Sequence, residues 1–267
     1  MNYFVILIAI FVVYRSYRLL FAPDEWDKTK VKESFQKDTK VIIFTAYDLK
    51  FSTKPYVTKN KEILQKYADI HGHEYKMVID YDNELSPYWL RVKVLKELLE
   101  NTKDGSIIAY FDADAVPSHM DVSITDFISS LKSSSDIFIS EDPDIEWNPV
   151  YPGVFNTGVF FCRNSPRSRD FVNQWFSMYK QDKWIKDDSN KWTCQFPCLY
   201  AGENYEQGAF SKLYKSTDKN LIQRLNYTTL ACSKSSSKCF ALHLMGASDI
   251  KRDMIFEDML KSDFFPR

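Results

Sequence analysis

The chain has 267 residues, enough for one large α/β domain with a substantial core. Its 20 Phe, 16 Tyr and 6 Trp, set against only 7 Gly, exclude a disordered or low-complexity chain. Lys+Arg 35 against Asp+Glu 36 leaves no basic excess, so the charge balance gives no support for nucleic-acid binding.

Tyr3 to Tyr14 is continuously apolar or aromatic, and Arg15 and Arg18 interrupt it before Leu19, Leu20 and Phe21. The pure run is shorter than the roughly 20 residues that cross a bilayer, but snorkelling arginines extend it. Residues 1–21 therefore read as a single-pass signal anchor, with a cleaved signal peptide as the second reading. Arg15, Arg18, Lys28, Lys30 and Lys32 all follow the run, and the positive-inside rule would leave the body in the cytosol. Residues 22–39 are charged and read as a stem or linker, and 40–267 as the folded domain.

Val41 to Ala46 is the first expected strand. Ile63, Leu64, Tyr67 and Ala68 give helical spacing from Lys59 to His71, and Gly72 is a helix stop. Tyr75 to Ile79 is the next strand. Ser86 is the expected cap of a helix with Pro87 in its first turn, running to about Leu99. The apolar run Ile107 to Phe111 is a buried strand, followed at once by Asp112 and Asp114. Asp136 to Ser140 and Gly158 to Cys162 add strands, and Pro166 opens a helix spanning Ser165 to Tyr179. Asp182 to Phe196 reads as a polar loop holding Trp184 and Trp192, Cys232 to Lys238 as a second loop, and Phe240 to His243 as a late strand. Strands alternating with helices predict a mixed, mostly parallel sheet flanked by helices.

The chemistry concentrates at Asp112 and Asp114. On an extended strand residues i and i+2 share a face, and a strand's carboxyl end is where open α/β sheets bind ligands. Two hard carboxylates suit Mg²⁺ or Mn²⁺ carrying substrate phosphates, whereas a bare Asp-x-Asp is most often an acidic turn. The cysteines leave two readings open. Cys194 with Cys198 and Cys232 with Cys239 can form two disulfides, Cys162 remaining over, or all five are reduced thiols. One glycosylation sequon, Asn226-Tyr227-Thr228, is compatible with a lumenal body.

Six separated segments turn the odds at Asp112. Tyr67-Ala68-Asp69-Ile70-His71-Gly72-His73-Glu74-Tyr75 spans a helix-to-strand junction, and Trp89-Leu90-Arg91 lies on the next helix. Phe111-Asp112-Ala113-Asp114-Ala115, Phe155-Asn156-Thr157-Gly158-Val159-Phe160, Glu206-Gln207-Gly208-Ala209 and His243-Leu244-Met245-Gly246 follow in order. Together, across roughly Val41 to Ser248, they resemble the GT-A-fold glycosyltransferases of the galactosyl/xylosyltransferase type, glycosyltransferase family 34. The chain departs from that pattern at Arg91, where the family has Lys, at Glu206, usually Asp, and at Ala247, where a Cys often stands.

The resemblance implies a metal-dependent transferase that moves a hexose or pentose from a nucleotide-sugar, of the UDP-sugar class, to a glycan or glycoprotein with retention of configuration. It implies Mn²⁺ or Mg²⁺ held by Asp112, Asp114 and His243, and a reaction-centre pair Glu206 and Gln207. Thr45, Trp89, Arg91, Asn156, Gly158 and Gly246 become the substrate-binding candidates. It also implies a single-pass membrane protein facing the Golgi or ER lumen, against the charge bias after the anchor. Read residue by residue, Arg91 can pair with a diphosphate or lie on a solvated helix face, Trp89 packs more readily than it stacks on sugar, and Asn156 is equally a turn residue. Glu141 and Asp142 read as a charged loop, with Asp142 and Glu203 as fallback acids. Two rivals remain: a HAD-like phosphatase, which carries its D-x-D-x-V motif on its first strand, and a non-catalytic sugar-binding module.

Overall fold

The computed structural model describes residues 39–81, 85–142, 155–188, 191–233 and 239–262. The expected anchor and all but the last residue of the stem lie outside the described residues. Among the described residues no helix is long and apolar enough to cross a membrane.

β1 (Val41–Asp48) is buried along nearly its whole length, as a central strand covered on both faces must be. Its alternate residues feed opposite layers: Ile42, Phe44 and Ala46 enter one apolar cluster, Val41 and Ile43 another. α1 (Pro55–His71) starts four residues before the expected Lys59, because Pro55 takes the first helical position. It ends as expected at Gly72, whose φ of 66° lets its N–H return to Ala68 O and Asp69 O. β2 (Glu74–Asp80) runs parallel to β1. α2 (Pro87–Glu100) follows Ser86, but the expected serine cap is not made: the hydroxyl forms no capping bond and is buried without a partner among the described residues. The fixed φ of Pro87 and the Ser86 carbonyl, which accepts from Trp89 N and Leu90 N, start the helix instead.

β3 (Ile107–Phe111), β4 (Ala115–Pro117), α3 (Ile124–Ser130), β5 (Ile137–Glu141) and β6 (Phe155–Arg163) follow. α4 (Pro166–Ser177) carries a reciprocal capping box between Ser165 and Ser168. The expected loop from Asp182 to Phe196 is instead a small hairpin, β7 (Trp184–Lys186) against β8 (Trp192–Cys194), built around a buried Trp184. α5 (Glu206–Ser216), β9 (Ile222–Leu225), β10 (Ala231–Cys232), β11 (Ala241–His243) and α6 (Asp249–Lys261) complete the chain.

The main sheet has the order β2-β1-β3-β6-β5-β9. β1–β2, β1–β3 and β5–β9 are parallel, while β6 is antiparallel to both of its neighbours. That antiparallel step positions the site. It sets the carboxyl end of β3 beside the amino end of β6, with Asp112 N donating to Gly158 O at 2.7 Å. A smaller sheet, β10-β11-β4, supplies the third side by pairing His243 with Ala115, one residue beyond Asp114. Trp89, Phe171, Trp175 and Phe210 fill one side of the main sheet, and Leu64, Tyr67 and Phe127 the other. Cys194 is bonded to Cys198 and Cys232 to Cys239, leaving Cys162 buried and free.

Candidate active site

Asp112 and Asp114 converge, but not by strand alternation. β3 ends at Phe111, and Asp112 to Asp114 form a tight turn closed by Ala115 N donating to Asp112 O at 2.9 Å. His243 comes to them from β11: its Nε2 lies 3.3 Å from Asp114 Oδ1 and 3.7 Å from Asp112 Oδ2. One ligand atom from each of the three residues lies within 4.8 Å of the other two. Carboxylate oxygens with one imidazole nitrogen suit a divalent cation, and imidazole favours Mn²⁺ over Mg²⁺.

The space is reserved by Gly158. A Cβ there would overlap His243 Cε1 and stand 2.7 Å from Asp112 Oδ2, so no larger residue fits without displacing a candidate ligand. His243 is buried, and its Nδ1 has no partner among the described residues. Burial lowers the imidazole pKa, but the hydrogen bond and charge of Asp114, with Asp112 behind it, raise it overall. Burial likewise raises Asp114, yet His243 and Arg252 outweigh that and hold it below the usual carboxylate range.

Arg91 is not on a solvated face. It reaches from α2 into the site, with Nη2 3.0 Å from Asp112 Oδ1 and Nη1 3.2 Å from both Asp112 Oδ2 and Thr157 O. Its guanidinium lies 4.9 Å from the Tyr110 ring, whose hydroxyl donates to Asp112 Oδ1 at 2.6 Å. Arg252 of α6 does the same for the other acid: Nη2 is 2.7 Å from Asp114 Oδ2, steadied by Asp249 and by Leu244 O. Nothing in the sequence patterns marked Arg252. The only signal was a basic residue in the helix that follows the late glycine.

Glu206 opens α5, its backbone oxygen anchored by Trp175 Nε1 at 2.7 Å. Its Oε1 accepts from Thr157 Oγ1 at 2.9 Å and lies 3.8 Å from Arg91, while Oε2 is buried without a partner among the described residues. Burial pushes the Glu206 carboxyl up, against the opposing pull of Arg91 and of the Thr157 hydroxyl. Gln207 is held at both ends: its Oε1 accepts from Thr157 N at 3.2 Å and its Nε2 donates to Asp142 Oδ2 at 2.8 Å.

Asp142 is therefore no charged loop residue but a buried member of the site, which also accepts from Asn156 Nδ2 at 3.3 Å. Asn156 lies within β6, at the register shift against β5, and its Oδ1 accepts from Gly158 N two residues on, the local bond expected of a turn-forming Asn. Glu141 points away, to Arg224 at 2.6 Å, and Glu203 pairs with Lys212 on the exposed surface.

Two cavities share a wall of Tyr88, Arg91, Asp112 and Asp114. The larger, about 730 Å³, opens between the end of β1 and the hairpin and is lined by Tyr47, Asp48, Phe51, Tyr81 and Trp192. The smaller, about 350 Å³, holds Asp142, Asn156, Gly158, Glu206, Gln207, His243, Gly246 and Arg252. Two substrate-binding expectations fail here. Trp89 is buried with its indole N–H on Asn204 O, and Thr45 is buried against the Tyr75 hydroxyl at 3.1 Å. Both face packed layers rather than either cavity, because their positions on α2 and β1 point into the core. Gly246 does line the smaller cavity with φ 67°, a conformation that glycine adopts without strain. The phosphatase rival loses its ground, since the acids follow the third strand of the chain and Asp112 is engaged by Arg91 and Tyr110.

No family model matches the chain. It is 28% identical over 166 residues to xyloglucan 6-xylosyltransferase 4 of Arabidopsis thaliana, covering 60% of this chain and 31% of that protein. Probable xyloglucan 6-xylosyltransferase 3 of the same plant is 27% identical over 145 residues, 52% of this chain and 31% of that protein. The chain thus spans about a third of the length of the curated relatives it matches. Among solved structures, a glycosyltransferase involved in the glycosylation of the major capsid of PBCV-1 is similar with a TM-score of 0.58 at 17% identity, covering 82% of this chain and 98% of that one. The mixed α/β fold with its parallel-rich central sheet matches the GT-A fold, and the similarity to the xylosyltransferases agrees with the resemblance to family 34.

Proposed function

We propose that this chain is a divalent-metal-dependent glycosyltransferase that moves a hexose or pentose from a nucleotide-sugar of the UDP-sugar class to a glycan or glycoprotein acceptor, retaining the donor's α configuration. The observation that carries this reading is the charge of the smaller cavity. Among the described residues, Asp112, Asp114, Asp142 and Glu206 face two guanidiniums, Arg91 and Arg252, and a His stands between two of the acids. Such a centre is short of positive charge, which a divalent cation supplies; when bound, that cation neutralises charge developing on a departing diphosphate.

The residues divide the work. The larger cavity takes the nucleotide, so its diphosphate lies along the shared wall, within reach of Arg91. Arg252 meets it from the α6 side of the smaller cavity. The donor sugar occupies the smaller cavity, where the Glu206 carboxylate stabilises an oxocarbenium-like transition state. Thr157 and Arg91 keep Glu206 oriented and favour its charged form, and Asp142 and Thr157 hold the Gln207 amide beside it. Retention follows when the acceptor attacks from the face the diphosphate leaves, with a phosphate oxygen taking the acceptor proton. The two disulfides support an oxidising compartment, hence a lumen-facing body behind the 1–21 anchor.

The test is nucleotide release by the full chain from UDP-xylose, UDP-glucose and UDP-galactose with Mn²⁺. Release of UDP from at least one donor is expected. A folded protein that releases none from any of them would overturn the proposal.

A further inference from the structure

At the rim of the smaller cavity, Tyr200 leads onto further exposed apolar side chains, and the loop that carries them is built rather than incidental. Phe196 is 95% exposed, Leu199 67% and Tyr200 64%. They lie on one short loop between β8 and α5 that is fastened at several points. Cys194 and Cys198 close it covalently, Gln195 N donates to Lys183 O at 2.8 Å, and Gly202 N donates to Leu199 O at 2.9 Å. An aromatic chain joins the loop to the reaction centre. The Tyr88 and Tyr205 rings pack at 4.9 Å, and Tyr205 meets Tyr200 at 5.4 Å. Tyr88, Tyr200 and Tyr205 all line the cavity that holds Glu206, so Tyr200 belongs to both surfaces.

We propose that Tyr200, Leu199 and Phe196 form an acceptor subsite that holds successive pyranose rings of an oligosaccharide outside the reaction cavity. This rests on the transferase reading and names its acceptor class: an extended glycan rather than a monosaccharide. Three observations select that occupant. The patch is continuous with the cavity wall, so whatever lies on it can also reach the reaction centre. The exposed groups of the patch itself carry rings and methyl groups and no charge, which suits the C–H faces of sugar rings and not an anionic partner. The staple and backbone bonds fix the loop before binding, so little ordering entropy opposes a weak, multi-ring ligand. The larger cavity, on the other side of the Arg91 and Asp112 wall, leaves this mouth free for the acceptor.

The experiment compares the full chain with its Phe196→Ala and Leu199→Ala variants, on a donor that the wild type hydrolyses. Probes are cellohexaose, xylohexaose, maltohexaose and chitohexaose, with the matching monosaccharides as controls. Donor hydrolysis without acceptor should be unchanged, because neither side chain lines the cavities. On the hexasaccharide that serves, KM should rise about five- to tenfold per variant with kcat nearly constant, the scale of one lost aromatic or apolar anchor. The Cys194→Ser variant should show the same KM rise. Equal KM for wild type and both variants, or a monosaccharide served as well as its hexasaccharide, would overturn the subsite. So would variants that lose binding to phosphatidylcholine vesicles while keeping acceptor KM, which would assign the patch to a lipid surface. Donor hydrolysis absent in the wild type would sink the transferase reading instead, so the two failures are separable.

Discussion

The two cavities meet at one wall and differ in almost everything else. The larger is framed by Tyr47, Phe51, Tyr81 and Trp192, with Asp48, Lys50, Lys54 and Lys191 on its own walls and Asp112 and Asp114 on the shared side. The smaller is crowded with charge, and its side chains are cross-bonded into one network through Thr157, Asp142 and the two arginines. A site of the first kind binds a flat, partly apolar group by shape and tolerates small changes. A site of the second kind holds opposed charges in low dielectric, where each group fixes its neighbours and one loss disturbs the rest. Substitutions in the small cavity should therefore strike turnover, and those in the large one donor affinity.

The largest effect is expected at Glu206. Glu206→Gln keeps the shape and the bond from Thr157 but removes the charge. Turnover should fall by about 10²- to 10³-fold or more, the scale of a lost electrostatic stabiliser, with UDP affinity unchanged by calorimetry. Stability should move the other way. The folded Glu206 pKa is raised by burial, so the charged form costs folding energy as pH climbs from the ordinary Glu value of about 4.3 through the raised one. The melting temperature of the variant should exceed the wild type by an amount that grows between pH 4 and pH 8. A difference that shrinks over that range would contradict the assignment of the buried charge.

Gly158→Ala comes next. Its methyl cannot coexist with His243 and Asp112 where they stand, and a misplacement of about 1 Å at a reacting centre costs about 10²-fold. A crystal structure of the variant should show His243 displaced; a variant with full turnover would mean that His243 is not needed in its present place. Arg252→Gln should lower turnover by about tenfold or more and weaken UDP binding, since a guanidinium on a charged partner is worth about 1.5–3 kcal/mol. Retained UDP affinity would confine Arg252 to a structural partnership with Asp114. The smallest effect belongs to the large cavity. Trp192→Ala should raise the donor KM several-fold with kcat within about twofold, and an equal fall in kcat would erase the contrast between the two cavities.

The order of elements was legible because the apolar runs are long and punctuated by Gly72, Pro87 and Pro166, each of which acts locally. The Asp112, His243 and Glu206 segments were legible as a series because each couples an element boundary to a polar residue. What stayed hidden depends on long-range pairing. Arg252 joins the site only because α6 packs beside α1 and lies near the Asp114 turn, and no local pattern announces that. Asp142 looked like loop charge because its partners, Asn156 and Gln207, lie 14 and 65 residues away in sequence. The hairpin at Trp184 was missed because three-residue strands carry too little periodicity to be read, while the burial that stabilises them comes from Tyr88 and Tyr205. Trp89 shows the converse: its motif position made it a ligand candidate, while its residue type read more readily as packing, and its helix face does turn it into the core.

The central claim is that Asp112, Asp114 and His243 hold one divalent cation for a nucleotide-sugar. The most direct measurement is a Mn²⁺ titration followed by electron paramagnetic resonance, on the full chain with UDP present, for the wild type, Asp112→Asn and His243→Gln. One tightly bound Mn²⁺ per wild-type chain is expected, with affinity reduced by about tenfold or more in each folded variant. Equal Mn²⁺ binding in all three proteins would contradict it.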